Sequence, residues 1–195
     1  MLTLILGGAR SGKSRLAQRL AASAGRVTYI ATAETGEDLE MAARIARHRA
    51  DRPSAWRTVE EPLALADAVE RAAMDADAVL VDCLTIWLSN LSWKHRDGTS
   101  RQVEDAARAE LQRLAAAARQ CHLILVSNEL GCGTVPEPAV TRAFRDAQGL
   151  LNQWAAEAAD EVILTVAGLP LYLKLASRQA GAQGTYRELT LEDTK

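Results

Sequence analysis

The abrupt change of pattern near the N-terminus constrains the fold more than any other part of the sequence. Residues 2–6 are a nearly continuous apolar run, which is typical of a strand buried on both faces. A glycine-containing stretch follows at 7–14, and a helical pattern begins at Lys13. A buried strand, a tight turn and a helix in succession predict the first unit of a parallel sheet covered by helices.

The same alternation continues along the chain. Further strand-like runs lie at 27–31, 78–81, 123–126 and 162–166. The predicted helices cover 13–24, 37–50, 63–74, 103–119 and 139–159. Ligands of such sheets bind beyond the carboxyl ends of the strands, so the residues that follow each strand are the candidates for function. The pattern is lost after Lys174, and we therefore predict one domain over 1–174 and a tail, 175–195, outside its core.

The stretch after the first strand fits the phosphate-binding pattern GxxxxGK[ST]. Glycines allow the backbone N–H groups to turn around a phosphate, and the helix that follows adds its positive end. We expect Lys13 to reach the β- and γ-phosphates of ATP or GTP, and the Ser14 hydroxyl to bind Mg²⁺. The predicted nucleotide-binding residues here are Gly7, Gly8, Ala9, Arg10, Ser11, Gly12, Lys13 and Ser14. Together with the alternating elements, they predict an α/β P-loop NTPase fold of the RecA-like type, with three layers and a mostly parallel central sheet.

Asp82 follows four apolar residues, 78–81, at the end of a predicted strand. A carboxylate in this place can hold Mg²⁺ directly or through water, and it is the second predicted metal ligand beside Ser14. An Asp at the end of a strand can instead cap the next helix, and the sequence leaves that alternative open.

Four arginines surround one histidine in the segment 44–52. A solvated helix would also carry arginines, so the residue types alone do not establish a function. The segment lies beyond the second predicted strand, on the ligand side of the sheet, and Arg44 and His48 share a helix face. An imidazole among guanidinium groups suits nucleophilic attack on phosphorus, because the guanidinium groups neutralise the charge that develops on the phosphate oxygens.

These segments resemble one known family. The resemblance is carried by GGARSGKS at 7–14, YIAT at 29–32, MAARI with His48 and Arg52-Pro53, WRT at 56–58, Asn128-Glu129 and the segment 131–146. The chain is similar to bifunctional adenosylcobinamide kinases and adenosylcobinamide-phosphate guanylyltransferases from Leu2 to about Lys174. Some relatives have two adjacent histidines where this chain has Arg47 and His48, and some have Glu where it has Asp82.

The resemblance implies two reactions. The aminopropanol hydroxyl of adenosylcobinamide would take the γ-phosphate of ATP or GTP, and GMP would then pass from GTP through a histidine to the resulting phosphate. Lys13 and His48 would be the catalytic residues, and His48 would carry the GMP. Beyond the P-loop, the implied nucleotide contacts are Thr32, Ala33, Glu34, Arg49, Ala50, Asp51, Arg52, Glu60 and Asp82. The family also implies a homotrimer.

Composition narrows the function classes. The net charge is −2 and aromatic residues make up 4% of the chain, which argues against a RecA-like ATPase that acts on nucleic acid. No apolar run reaches the length of a membrane span, and the three cysteines show no disulfide or metal spacing, so we expect reduced thiols and a cytoplasmic protein. A small-molecule kinase without guanylyl transfer and a nucleotide sensor without turnover remain as alternatives.

Overall fold

The central strands are apolar at nearly every position because helices cover both of their faces. The computed structural model describes residues 1–34, 49 and 52–175. Within them, all six residues of β1, Leu2–Gly7, are buried, as are all five of β2, Val27–Ala31. Such two-sided burial removes the polar–apolar alternation of a half-exposed strand and explains the continuous apolar runs.

The elements follow one another as strands and helices along the described chain. After β1 and β2, the strands are β3 Arg57–Glu60, β4 Ala78–Asp82, β5 His122–Asn128, β6 Glu161–Val166 and β7 Leu169–Lys174. The helices are α1 Lys13–Ala21, α2 Leu65–Ala73, α3 Leu84–Lys94, α4 Ser100–Ala117 and α5 Ala139–Ala158.

The described strands form one seven-stranded sheet in the order β3-β2-β4-β5-β1-β6-β7. All neighbours are parallel except β6 and β7, which form an antiparallel pair at one edge. Strand β5 lies between β1, which leads into the glycine loop, and β4, which ends at Asp82. The carboxyl ends of β1 to β6 therefore meet at one edge of the sheet.

Two apolar cores lie on the two faces of the sheet. On one face, α1 contacts β1, β4 and β5, and its Leu16 and Ala17 belong to the apolar cluster there. On the other, α2, α3, α4 and α5 bury a larger cluster in which Trp87 is fully buried. One helix layer, a sheet and a second helix layer make the three-layer α/β arrangement that the sequence predicts.

All five predicted strands are present, but three elements were missed. Strand β3 reads Arg-Thr-Val-Glu and is largely exposed, because it lies at the sheet edge and has no apolar run. Strand β7 contains Pro170, which argues against a central strand and is tolerated at an edge. Helix α3 is apolar with no acidic residue in its first turn, so it lacks the usual start signal. The predicted helix 37–50 lies outside the described residues except for Arg49, as does the tail from 176, and the domain boundary at 174 stays a prediction.

The polar segment 95–99 joins α3 to α4. Thr99 is the N-cap of α4: its side chain accepts a hydrogen bond from the Gln102 backbone N–H at 3.4 Å. The Gln102 side chain in turn accepts from the Thr99 backbone N–H at 2.8 Å. This reciprocal capping box satisfies two N–H groups that the helix leaves unpaired, and it fixes where α4 begins.

We predict that Thr99→Ala lowers the free energy of unfolding by about 1 kcal/mol, the usual effect of losing an N-cap hydroxyl. The neighbouring Ser100→Ala is the control, because Ser100 is the first residue of the helix and is exposed. Urea denaturation of both variants measures the difference. Equal stability of the two variants would show that the capping box contributes nothing.

Candidate active site

The carboxyl edge of the sheet brings together the residues that follow each central strand. Gly7 at the end of β1 is paired in register with Asn128 at the end of β5. Asp82 at the end of β4 is paired with Ala31, the last residue of β2. Parallel strands thus place the glycine loop, a carboxylate and the β2 end side by side, as expected for a ligand site in such a sheet.

The glycine loop adopts the backbone conformation needed to surround an anion. Arg10 and Gly12 have φ of 56° and 97°, both in the left-handed region, and α1 begins at Lys13. Alternation of left- and right-handed residues turns successive N–H groups to one side, next to the positive end of the helix. The Lys13 side chain curls back over the loop, and its Nζ donates to the Gly8 carbonyl at 3.0 Å. The loop can therefore cradle phosphates and place an ammonium group beside them.

The turn between β6 and β7 braces this loop from behind. Ala167 and Gly168 have φ of 52° and 84°, as in a two-residue hairpin turn of type I′. The Gly168 N–H donates to the Ser11 carbonyl at 2.8 Å, and the hydroxyls of Ser11 and Thr165 are 2.9 Å apart. Thr165 also donates to the Leu6 carbonyl at 3.0 Å. Sequence reasoning missed this support, although an Ala-Gly pair between two apolar runs signals such a hairpin.

Gly7 is the point where the loop can bear no side chain. A Cβ on Gly7 would lie 2.3 Å from Ser11 Oγ and 2.4 Å from Thr165 Oγ1. Both hydroxyls are held by the hydrogen bonds of the brace, and the Gly7 carbonyl also accepts from the Glu129 N–H at 3.1 Å. In contrast, a Cβ on Gly8 meets nothing within 4 Å.

Asp82 is half-buried, and a neighbouring strand holds its carboxylate. Tyr29 on β2 is 1% exposed, and its hydroxyl donates to Asp82 Oδ2 at 2.9 Å. Burial, together with the charge of Asp82, raises the pKa of Tyr29 well above its usual range, so the phenol keeps its proton and acts as the donor. Asp82 does not cap α3, since the N-cap is Cys83 and no side chain caps that helix.

Thr32 is buried, and its polar groups bond other residues of the protein. It is 0% exposed, and its hydroxyl both donates to the Cys83 carbonyl at 2.8 Å and accepts from the Cys83 N–H at 2.9 Å. Its carbonyl accepts from Asn90 Nδ2 at 2.8 Å. Thr32 therefore fastens the end of β2 to the start of α3, and its side chain is not available to a nucleotide. Ala33 is half-buried and Glu34 is exposed.

A second group of predicted residues lines a cleft of about 420 Å³ near the end of β3. Arg49 forms an ion pair with Glu60, and both side chains are about half exposed. The guanidinium of Arg52 lies over the ring of Tyr29, 3.7 Å from its centroid. Trp56 lies in the same lining and packs against the core on the α1 face. The cleft therefore presents two guanidinium groups and one carboxylate beside an aromatic ring.

Among the described residues, most of the predicted site residues fall into two groups. The P-loop follows β1, whereas Glu60 ends β3, four strands away, which corresponds to about 19 Å along the sheet edge. Asp82 and Tyr29 lie on the strands between them. His48, Ala50 and Asp51 lie outside the described residues.

A buried polar network beside the P-loop was also missed. Gln148 and Asn152 on α5 both hydrogen-bond the side chain of Ser127, at 2.9 and 2.6 Å, and Asn152 Nδ2 donates to the Asn128 carbonyl at 3.0 Å. Thr85 Oγ1 accepts from the Asn128 N–H at 2.9 Å. These bonds fix the end of β5, next to Gly7. An i, i+4 pair of amides on one helix face is the sequence signal that could have revealed them.

Some classes of site are not found in the part of the chain that the structure describes. There, no three His, Cys, Asp or Glu side chains are grouped as a metal centre would require, and no helix has the length and apolarity of a bilayer span. Burial raises the pKa of Cys83 to about 11, which makes it a poor nucleophile. All three cysteines are unbonded, as predicted.

A parallel sheet, a braced glycine loop at the end of its first strand and a strand-end aspartate define a P-loop nucleotide-binding protein. Comparison with known proteins identifies the family. Residues 3–173 match the model of the family described as cobinamide kinase / cobinamide phosphate guanyltransferase, and the chain belongs to that family.

Curated relatives agree with this family. A bifunctional adenosylcobalamin biosynthesis protein from Pseudomonas aeruginosa is 50% identical over 181 residues, which cover 89% of this chain and 98% of that protein. Its counterpart from Escherichia coli K12 is 43% identical over 182 residues, 89% of this chain and all of that protein. The counterpart from Salmonella typhimurium is 41% identical over 187 residues.

A solved structure with low sequence identity is similar to this chain in fold only. It is an ATPase from the type III secretion system of pathogenic bacteria, with a TM-score of 0.51 and 14% identity. The match covers 84% of this chain and half of that ATPase.

We predict that Gly7→Ala destabilises the protein by about 1–3 kcal/mol, because its methyl group would collide with hydroxyls that cannot move freely. At roughly 2–4 °C per kcal/mol for a domain of this size, the melting temperature falls by several degrees. Gly8→Ala is the matched control, with open space at its Cβ and a melting temperature close to that of the wild type. A Gly7→Ala protein as stable as Gly8→Ala would contradict the proposed rigidity of the brace.

Proposed function

We propose that the chain phosphorylates the aminopropanol hydroxyl of adenosylcobinamide with ATP or GTP, then transfers GMP from GTP to the product. The final product is adenosylcobinamide-GDP. Support comes from family membership over nearly the whole domain and from the braced P-loop, which carries the proposal because both steps begin with a nucleoside triphosphate. The corrinoid and its phosphate are therefore the proposed partners.

In the kinase step, the substrate hydroxyl oxygen attacks the γ-phosphorus, the bond from that phosphorus to the bridging oxygen breaks, and the nucleoside diphosphate and the hydroxyl proton leave. Backbone N–H groups of 8–14 bind the phosphates, and Lys13 swings from the Gly8 carbonyl to the β- and γ-oxygens. The brace of Ser11, Thr165 and Gly168 keeps the loop in place, so little reorganisation accompanies the reaction.

The chain also offers oxygen donors that suit Mg²⁺. Ser14 lies in the first turn of α1, directly after Lys13, and Asp82 ends the strand two positions away across the sheet. Mg²⁺ is commonly held by one or two protein oxygens together with substrate phosphates, which fits a site without a protein-only cluster. When bound, Mg²⁺ would neutralise charge on the β- and γ-phosphates.

In the guanylyl step, a His48 ring nitrogen attacks the α-phosphorus of GTP, and pyrophosphate leaves. The terminal oxygen of the corrinoid phosphate then attacks the same phosphorus, and the nitrogen–phosphorus bond breaks. Arg49 and Arg52 supply positive charge for the developing oxyanion, with Glu60 holding Arg49. We assign Thr32 a positioning role, since its hydroxyl is used within the protein. The homotrimer and the cytoplasmic location also stay predictions.

Lys13→Ala should lower both activities by at least about 100-fold, because removing a cation aimed at the transferring phosphates costs several kcal/mol of transition-state stabilisation. Lys94→Ala, a change at an exposed residue of α3, is the control. The rates of ADP release and of corrinoid guanylylation measure the effect. Turnover close to that of the wild type would contradict the role of the P-loop.

His48→Asn should abolish transfer of label from the α-phosphate of GTP to the protein, because an amide cannot form a phosphoramidate. Phosphoryl transfer to the corrinoid hydroxyl should fall less, since it requires no covalent histidine. His95→Asn serves as the control and should label normally. The adduct should be acid-labile and alkali-stable.

Two outcomes would contradict this assignment. Retained α-label on His48→Asn would exclude His48 as the nucleophile. Equal loss of both activities would show that His48 positions nucleotide in each reaction and is not the nucleophile of the guanylyl step alone.

A further inference from the structure

Tyr29 contacts both groups of the candidate site. Its hydroxyl donates to Asp82 Oδ2 at 2.9 Å, and its ring lies under the guanidinium of Arg52 at 3.7 Å. It is on β2, between the P-loop side and the cleft side of the sheet edge, and is 1% exposed. One buried side chain therefore contacts a predicted metal ligand and a predicted phosphate ligand.

The hydroxyl contact fixes the carboxylate. A hydrogen bond to one oxygen sets the rotation of the Asp82 side chain, which ends β4 and is only half-buried. Ligating carboxylates are usually oriented by such outer partners, whose loss typically lowers metal affinity 10- to 100-fold.

The ring contact fixes the guanidinium. Stacking on an aromatic face leaves the edge of the Arg52 guanidinium as its hydrogen-bonding side and restricts its rotation. Arg52 Nε is buried, and no hydrogen-bond acceptor for it is found among the described residues. Buried donors usually have partners, and Arg52 lines the cleft, so an oxygen of a bound phosphate is the chemically matched acceptor.

We propose that Tyr29 is a positioning residue for both steps: its hydroxyl orients Asp82 toward the metal–nucleotide in the P-loop, and its ring orients Arg52 toward a phosphate oxygen in the cleft. This inference rests on the proposed function. The hydrogen bond to Asp82 uses the hydroxyl and the stacking of Arg52 uses the ring. Arg52 also acts on the phenol, because burial raises the pKa of Tyr29 and the charge of Arg52 opposes that rise. Two substitutions distinguish the hydroxyl from the ring. Tyr29→Phe deletes only the hydroxyl, whereas Tyr29→Leu deletes the hydroxyl and the ring.

The hydroxyl role is tested by calorimetric binding of ATP with and without Mg²⁺. In Tyr29→Phe, the gain in ATP affinity on adding Mg²⁺ should shrink about tenfold, the effect of losing one hydrogen bond to a charged group. Affinity without Mg²⁺ should be unchanged. In an Asp82→Asn background, Tyr29→Phe should cause no further loss, because it acts through Asp82. Tyr172→Phe on β7 is the matched control for removing a tyrosine hydroxyl.

The ring role is tested by α-labelling with GTP at saturating Mg²⁺. Tyr29→Phe should label within about twofold of the wild type, since a phenyl ring still supports the guanidinium. Tyr29→Leu should label about tenfold more slowly, as should Arg52→Ala, and combining the two should add little. Melting curves verify that each variant is folded at the assay temperature.

Each measurement tests one of the two proposed roles of Tyr29. An unchanged Mg²⁺ effect in Tyr29→Phe, or a further loss in the Asp82→Asn background, would overturn the hydroxyl role. Equal labelling by Tyr29→Leu and Tyr29→Phe, both folded, would overturn the ring role. Absence of any label on the wild type would instead contradict the proposed guanylyl transfer, and the calorimetric comparison would still decide the hydroxyl role.

Discussion

The P-loop must turn several backbone N–H groups toward one bound anion, and the residues around the loop hold it in that conformation. This conformation requires left-handed φ at Arg10, which is unfavourable for a residue with a side chain and costs about 1–3 kcal/mol. Such a loop persists only where its neighbours hold it. Here the β6–β7 turn binds the Ser11 carbonyl, and the end of β5 binds the Gly7 carbonyl. The antiparallel hairpin at one side of a parallel sheet therefore serves the nucleotide site.

The order of strands determines how far apart the site residues lie. Strand β5 lies between β1 and β4 and so places Asp82 one strand further from the P-loop. The pairing of β4 with β2 brings Tyr29 within reach of its carboxylate. Strand β3, at the edge, carries Glu60 and the cleft. Because neighbouring strands are about 4.8 Å apart, the P-loop and the cleft are separated by several strand widths. Among the described residues, Tyr29 and Asp82 lie on the strands between them.

The sequence alone predicted the P-loop, because its residues are neighbours in the chain. The P-loop is a contiguous motif between a strand and a helix, so both its conformation and its position in the fold could be predicted before any long-range contact was known. Thr165 and Gly168, by contrast, support the loop from more than 150 positions away, and only the pairing of β1 with β6 brings them there. The hydroxyl of Thr32, likewise, bonds the backbone of Cys83, a contact that the sequence alone does not reveal. Direction of a side chain at a strand end depends on tertiary partners, which one sequence does not display.

Both proposed steps require positive charge that stabilises phosphate oxygens, but at different phosphates of the nucleotide. Each is a displacement at phosphorus, and in each the protein must have positive charge in place before the nucleophile arrives. We propose that Lys13 meets this demand for the β- and γ-phosphates, and that Arg49 and Arg52, which line the cleft, meet it there. A lysine on a flexible stem can follow a phosphate, whereas a guanidinium acts through a fixed plane and must be oriented. The proposed guanylyl step would therefore depend on the buried ring of Tyr29, which holds the Arg52 guanidinium in its orientation.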